Sequence, residues 1–396
     1  MKLRWAFTSA VIVIAFLVFV GSVKAAFFDA PGVGARSMGT GGAMTALAND
    51  PLSALFHNPA ALSDVHGVNA LAGVSTFFFP VRYKSPTGYN EKNEKSSFAP
   101  YFAINSDRFD PTFLGIGMYG SLGSGFDYDK DADHGIFYNF TSEIGNMYLS
   151  PTIAYRFNEK ISLGFGLNIT YGKLEMGMQL PSGEYLQIDA DGFCYGVNLG
   201  VLYKPSRYLN LGFRWRSRMK AEQKGDANFS GAKDNVKANL YWPDSLTFGL
   251  GVHISPQFIV LLDFEWINYS YFSRKSHFTY DKLTFLDGPF LKDMRDAWKI
   301  HVGCEYSLNK KVVLRAGYHY DPWCVPEEQT SPLAPGNTWH TFHLGIGLKI
   351  SDRLDIDIAG MRNYAKVRRI TYSESGYPGT YDMPSYVIDL ALSYHF

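Results

Sequence analysis

From about residue 67 onward, apolar and polar positions alternate in short runs. In Ile161–Gly172 the apolar set Ile161, Leu163, Phe165, Leu167, Ile169 and Tyr171 interleaves with Ser162, Gly164, Gly166, Asn168, Thr170 and Gly172. A period of two is the signature of a β-strand. Leu209, Leu211, Phe213 and Trp215 likewise oppose Asn210, Gly212, Arg214, Arg216 and Arg218. Leu246–His253 and Phe342–Lys349 repeat the pattern with glycine and histidine on the polar side. One face suits lipid and the other water.

Runs of this kind predict fourteen strands, near residues 67–79, 96–105, 112–122, 146–157, 161–178, 192–203, 209–223, 246–254, 258–272, 298–307, 312–320, 339–350, 354–366 and 386–396. Their connections alternate in length. Short ones fall at Asn158–Lys160, Pro205–Arg207, Ser255–Gln257, Asn309–Lys311 and Ser351–Arg353, and long ones at 80–95, 123–145, 179–191, 224–245, 273–297, 321–338 and 367–385. An even strand count with short turns on one rim and long loops on the other is the pattern of a transmembrane antiparallel β-barrel. The fold class expected is therefore all-β.

Composition sharpens this reading. Aromatic residues make up 16% of the 396, charged residues only 19%, and the formal net charge is zero. With no basic excess there is no electrostatic footprint for nucleic acid. A mean hydropathy of -0.11 is ordinary for a barrel whose inner face is polar. Lys2 and Arg4, the apolar run Trp5–Val20 and the small residues around Val23–Ala25 predict a secretory signal over residues 1–25. Cys194, Cys304 and Cys324 are odd in number and lack metal-type spacing, which implies neither a disulfide framework nor a zinc site. Asp127, Asp129, Asp131 and Asp133 fail the EF-hand pattern, with Ala132 and Tyr138 where Gly and Glu belong. No metal or cofactor is expected.

Between leader and barrel lies Gly34–Leu62, small and apolar, ending in His57, Asn58, Pro59 and Ala60. A compact segment ahead of a closed wall has one natural place, inside it. Residues 26–66 are therefore expected to form a hatch and residues 67–396 the barrel. Pro59 fixes φ and removes a donor, so His57–Ala60 is expected to make a rigid turn. At the other end, Tyr386, Ile388, Leu390, Leu392, Tyr394 and Phe396 form a final alternating run. It resembles the closing strand of bacterial outer-membrane proteins, which their assembly machinery reads.

Gly34-Ala35-Arg36, Met38–Ala43 and Asn58–Leu62, followed by Leu114–Tyr128, Ser150–Gly166 and Leu314–Asp321, are together similar to the FadL family of outer-membrane transporters. That resemblance implies a fourteen-stranded barrel with an N-terminal hatch, in the bacterial outer membrane. It implies capture of a long-chain fatty acid or aromatic hydrocarbon at the extracellular loops, and lateral exit through the wall. The connection at 179–191 is short for the family's first capture groove.

Candidate site residues follow. Phe27 and Phe28 open the mature chain and are expected beside an inner pocket. Arg214, Arg216, Arg218, Lys299, His301 and Arg315 share the lumen with Asp263, Glu265, Glu305, Asp355, Asp357 and Asp389, an ion-pair network from which Arg216 and Arg315 are the candidates for a ligand carboxylate. Tyr185, Leu186, Phe229, Leu240, Tyr241 and Trp242 are candidates for an outer capture surface. Gly115 and Gly117, with Pro100 on the preceding strand, are candidate sites of an interrupted ladder. A monomer is expected, in contact with outer-membrane lipid and lipopolysaccharide. A diffusion porin, a barrel lipid enzyme and an adhesive barrel are the competing classes. A porin requires an open lumen, and an enzyme requires a nucleophile motif that the sequence does not present.

Overall fold

The computed structural model describes residues 32–88, 90–93, 96–128, 141–180, 183–331, 335–374 and 376–396. The signal segment, Phe27, Phe28 and the acidic loop beyond Tyr128 lie outside them. Fourteen strands close into one antiparallel barrel. They are β1 Val68–Phe78, β2 Ser96–Phe109, β3 Thr112–Asp127, β4 Thr141–Arg156, β5 Ile161–Gln179, β6 Tyr185–Ser206 and β7 Leu209–Arg216, then β8 Ser245–Ser255, β9 Phe258–Ile267, β10 Ala297–Ser307, β11 Val312–Asp321, β12 Trp339–Lys349, β13 Leu354–Tyr364 and β14 Ser385–His395. β14 returns to β1 through a ladder running from Asn69–His395 to Phe78–Tyr386.

The wall is inside out relative to a soluble protein. Leu344 is 70% exposed and its neighbour His343 2%; Ile388 is 52% exposed and Asp389 0%. Apolar side chains outside and charged ones inside are stable only where the surrounding solvent is hydrocarbon. Phe157, Tyr203, Tyr208, Tyr306 and Tyr394 stand exposed near the short-turn rim, where an aromatic girdle meets the interface.

Inside the wall lies the hatch. Helix α1 (Ala35–Gly39) is followed by a glycine turn, helix α2 (Pro51–His57) and a 3-10 turn over Pro59–Asp64. Two Asx-Pro pairs start the last two elements: Asp50 accepts from the Ser53 amide at 2.9 Å and Asn58 from the Ala60 amide at 3.1 Å, each with proline in the first position. The helical turns of the hatch touch the arc from β11 through β14 and β1 to β6, and the segment between them, Thr40–Ala46, meets β7 to β10. Where it meets the wall, the inward positions are often glycine. A side-chain carbon at Gly164 would stand 2.2 Å from the Pro59 backbone, and one at Gly200 2.1 Å from Asn58 Oδ1. The glycines of the alternating runs thus make room for the plug.

Three expectations about the strands and their connections are corrected. The loop expected at 179–191 is only a turn between Gln179 and Tyr185, because β5 and β6 extend to 19 and 22 residues. The strand expected over 209–223 breaks after Arg216. It resumes as Met219–Phe229, pairs with Ala232–Trp242, and leans on the upper part of β6 from Asp191 to Leu186. The strand expected over 258–272 ends at Ile267, and helix α3 (Tyr269–Lys275) follows, capped by Asn268. Above the mouth, Val81–Lys84, Asn90–Asn93, Arg368–Ile370 and Gly379–Asp382 form a second sheet. Tyr83, Tyr128, Tyr377 and Tyr381 are buried against it, and Tyr377 Oη reaches across to donate to the Gln179 carbonyl at 2.9 Å.

Candidate functional site

The hatch is fastened by charge and by backbone. Arg36 meets Glu305 through two bonds, Nε–Oε1 at 2.9 Å and Nη2–Oε2 at 2.7 Å. Arg315 joins the same carboxylate at 3.4 Å and pairs with Asp357. A planar fork on a carboxylate is the strongest form of such a contact. Asp263 accepts from the amides of Met44 at 3.0 Å and Thr45 at 2.9 Å. Arg214 and Arg216 both donate to the Phe56 carbonyl, at 3.2 and 3.3 Å, and Arg216 lies 4.6 Å over the Phe56 ring. His301 Nδ1 meets the Gly41 carbonyl at 2.7 Å.

The two arginines proposed for a ligand carboxylate are therefore committed to protein partners, Arg315 within the clamp and Arg216 at the end of α2. Arg218 sits apart, beside Asp244 at 3.4 Å. Lys299 pairs with Asp321 at 2.8 Å. His57 is buried within the hatch, with Nε2 2.6 Å from Ser37 Oγ. Burial holds its pKa well below the usual imidazole range, and Arg214, His301 and Arg216 add repulsion.

Above the hatch the lumen is apolar. Phe56 meets Tyr119 edge-on at 5.6 Å, and Tyr119 stacks on Tyr148 at 5.4 Å. Leu52, Leu55, Ile144, Leu174, Met219 and Trp242 belong to the same buried cluster. Of the expected capture residues, Leu186, Leu240 and Trp242 turn into this cluster and the partly buried Phe229 packs against it, whereas Tyr185 and Tyr241 are only partly buried. Trp242 packs on Phe272 of α3 at 5.7 Å.

Beside that column the ladder of the wall is incomplete. The β2–β3 ladder runs from Phe109–Thr112 up to Phe102–Met118 and, among the described residues, ends there. Ser96–Tyr101 continue to pair with β1 alone. Above that point β3 follows β4, with a bulge at Ser121 between the pairs Gly120–Met147 and Leu122–Asn146. A bulge bends its strand, and Pro100 offers no amide to rejoin it. The interruption expected at Gly115 and Gly117 is corrected, since both lie within continuous ladders to β2 and β4. Their role is close approach: a side-chain carbon at Gly117 would stand 2.7 Å from Leu55 of the hatch. Sequence reading missed Phe56, Tyr119 and Tyr148. Tyr119 and Tyr148 left only the trace of an aromatic on the inward face of an alternating run, and Phe56 sits in the hatch helix.

A closed antiparallel barrel with an outward apolar face and a clamped plug defines an outer-membrane transport protein, and the chain resides in the bacterial outer membrane. It belongs to the outer membrane protein transport protein family (OMPP1/FadL/TodX), whose model matches residues 16–396. Outer membrane protein P1 of Haemophilus influenzae is 24% identical over 93% of this chain and 92% of its own. The long-chain fatty acid transport protein of Escherichia coli K12 is 23% identical over 60% of this chain and 64% of its own. Among solved structures, a Pseudomonas aeruginosa FadL homologue superposes with a TM-score of 0.80 at 18% identity, covering 94% of this chain and all of the other. The Pseudomonas putida toluene transporter TodX gives 0.78 at 19%, over 94% and 100%.

Proposed function

We propose that this protein passively carries a hydrophobic small molecule, a fatty acid or an aromatic hydrocarbon, across the outer membrane. The ligand is captured where β5, β6 and the 219–242 hairpin rise above the membrane. It descends the apolar chamber to Phe56 and Tyr119 and leaves sideways between β2 and β3. The observation that carries this reading is the end of the β2–β3 ladder at Phe102–Met118, on the strand that bears Tyr119.

A sideways route has a physical rationale. The direct way down is filled by the hatch and its ion pairs, and water disfavours each methylene by about 0.8 kcal/mol. Leaving through the wall keeps the ligand in apolar surroundings throughout. The names of the relatives support the same class of cargo. We read the chain as a transporter rather than an enzyme. His319 and His343 face one another at 2.8 Å and His301 holds the hatch, so the lumen histidines have structural partners. Monomeric function, contact of the upper strands with lipopolysaccharide, and assembly through the strand ending in Phe396 belong to the same proposal.

Deleting Ser121 tests the route. It removes the extra residue of the bulge and straightens β3. Uptake of labelled fatty acid or toluene by cells carrying the variant is expected to fall at least tenfold, with unchanged hydrogen exchange in the hatch. Unchanged uptake sinks the lateral route.

A further inference from the structure

Among the buried apolar side chains of the upper lumen lie two carboxamides without a hydrogen-bond partner, those of Asn146 and Gln223. Asn146 on β4, Gly172 on β5 and Gly192 on β6 form a row across the wall, through the pairs Asn146–Gly172 and Gly172–Gly192. The strand Met219–Phe229 passes in front of it, so close that a side-chain carbon at Gly192 would stand 3.1 Å from the Gln223 Cα. The Gln223 carboxamide then extends over the next glycine. A side-chain carbon at Gly172 would lie 2.6 Å from Gln223 Nε2 and 2.5 Å from Asn146 Oδ1. Both amides border the space that a side chain at 172 would take.

Both residues are 0% exposed. Among the described residues, neither the nitrogen nor the oxygen of either carboxamide has a hydrogen-bond partner. Ile144, Tyr148, Leu174, Met219 and Ala221, neighbours along the same strands, are buried in the apolar cluster. Buried polar groups are ordinarily paired, and a leucine at either position would match the rest of the lining. Four unpaired amide atoms in an apolar chamber point to a partner that arrives from outside.

We infer that Asn146 and Gln223 form a subsite for an uncharged head group that both donates and accepts a hydrogen bond, carried on an apolar body. This rests on the reading of the chamber as a path for hydrophobes. An alcohol, a phenol or a protonated carboxyl group accepts from one amide and donates to the other, whichever way the two amides are turned. A carboxylate only accepts, and it would enter an apolar chamber whose nearest lumen arginines are committed to the hatch. A plain hydrocarbon leaves all four amide atoms unpaired. The subsite therefore selects for a neutral polar head.

Full-length protein in nanodiscs, with folding confirmed by its heat-shifted gel mobility, is titrated with matched probes while tryptophan fluorescence is followed. The probes are octanol against octane, p-cresol against toluene, and octanoic acid below and above its carboxyl titration. The unmodified protein is expected to bind at least one polar probe, or the protonated acid, about tenfold more tightly than its hydrocarbon or ionised counterpart. The pair that shows the preference identifies the head group. In the double variant Asn146→Leu/Gln223→Leu the preference disappears while hydrocarbon affinity stays within twofold. Gly172→Ala, which places a methyl between the amides and removes no polar group, gives the same loss. Equal binding of every pair by the unmodified protein, or a preference that survives the double substitution, overturns the subsite and leaves the transport reading standing. Absence of binding by all probes defeats the transport reading and the subsite with it.

Discussion

The side chain of Asn58 donates at once to the Thr45 carbonyl, 2.8 Å away within the hatch, and to the Val201 carbonyl, 3.0 Å away in the wall. Its oxygen caps the turn that follows. One carboxamide thus joins both ends of the plug to β6. Asn58→Ala is expected to lower stability by about 1–3 kcal/mol, the range for leaving buried partners unmet. Hydrogen exchange should then accelerate at Thr45–Ala46 and Ala60–Leu62 with the barrel strands unaffected. Uniform acceleration would mean the bond serves the barrel as a whole.

The Arg36–Glu305 fork crosses from α1 to β10, and Arg315 shares its carboxylate. Removing one member of a buried pair costs about 3–5 kcal/mol, because its partner is left unmatched. Arg36→Met is expected to release the first half of the hatch and raise single-channel conductance in planar bilayers well above that of the unmodified protein, which is expected to conduct little. Large steady conductance from the unmodified protein would instead favour the porin reading.

Gly164 and Gly200 lie against the Asn58–Ala60 turn. Valine at either place cannot be absorbed by a flexible neighbour, since at Gly164 the clash is with backbone. A penalty of about 1–3 kcal/mol or more is expected. It should appear as new protease cleavage within residues 45–62, while the barrel keeps its heat-modifiable mobility.

His57 carries a pH dependence of definite sign. Burial holds its folded-state pKa below the ordinary value of about 6.5. Above that value the group is neutral in both states and its contribution is fully present. As pH falls below about 6.5, the detached hatch takes up a proton that the docked one refuses, and docking weakens. Hatch protection in hydrogen exchange should decline from pH 7 to pH 5, and His57→Gln should flatten that decline. An identical slope in the variant would assign the effect elsewhere.

Much of this was legible in the chain. Period-two runs such as Ile161–Gly172 carry their own strand assignment, and the inward charges Asp263, Glu265, Glu305 and Arg214 could be placed because alternation fixes the face. The Asn58-Pro59 turn announced itself through two residues with narrow backbone habits. What escaped depends on contacts between distant segments. The break after Arg216 is set where Ser217 pairs with Val197, and nothing in residues 209–223 alone encodes it. Asn146 and Gln223 look like ordinary polar positions until the row Asn146–Gly172–Gly192 and the crossing strand are known. Gly117 was misread because a glycine in a strand signals either a broken ladder or a close neighbour, and only the position of Leu55 distinguishes them.

The length of β5 and β6 sets how far the barrel wall rises beyond the lipid. Nineteen residues at about 3.3 Å each, tilted by about 40°, stand about 48 Å tall. The apolar band they cross is about 25 Å. Roughly 20 Å of β-sheet therefore stands clear of the lipid. On the proposed route a hydrophobe dissolved in the outer leaflet is below the mouth, so the cargo is expected to enter from the aqueous side and to reach the membrane at a lower level.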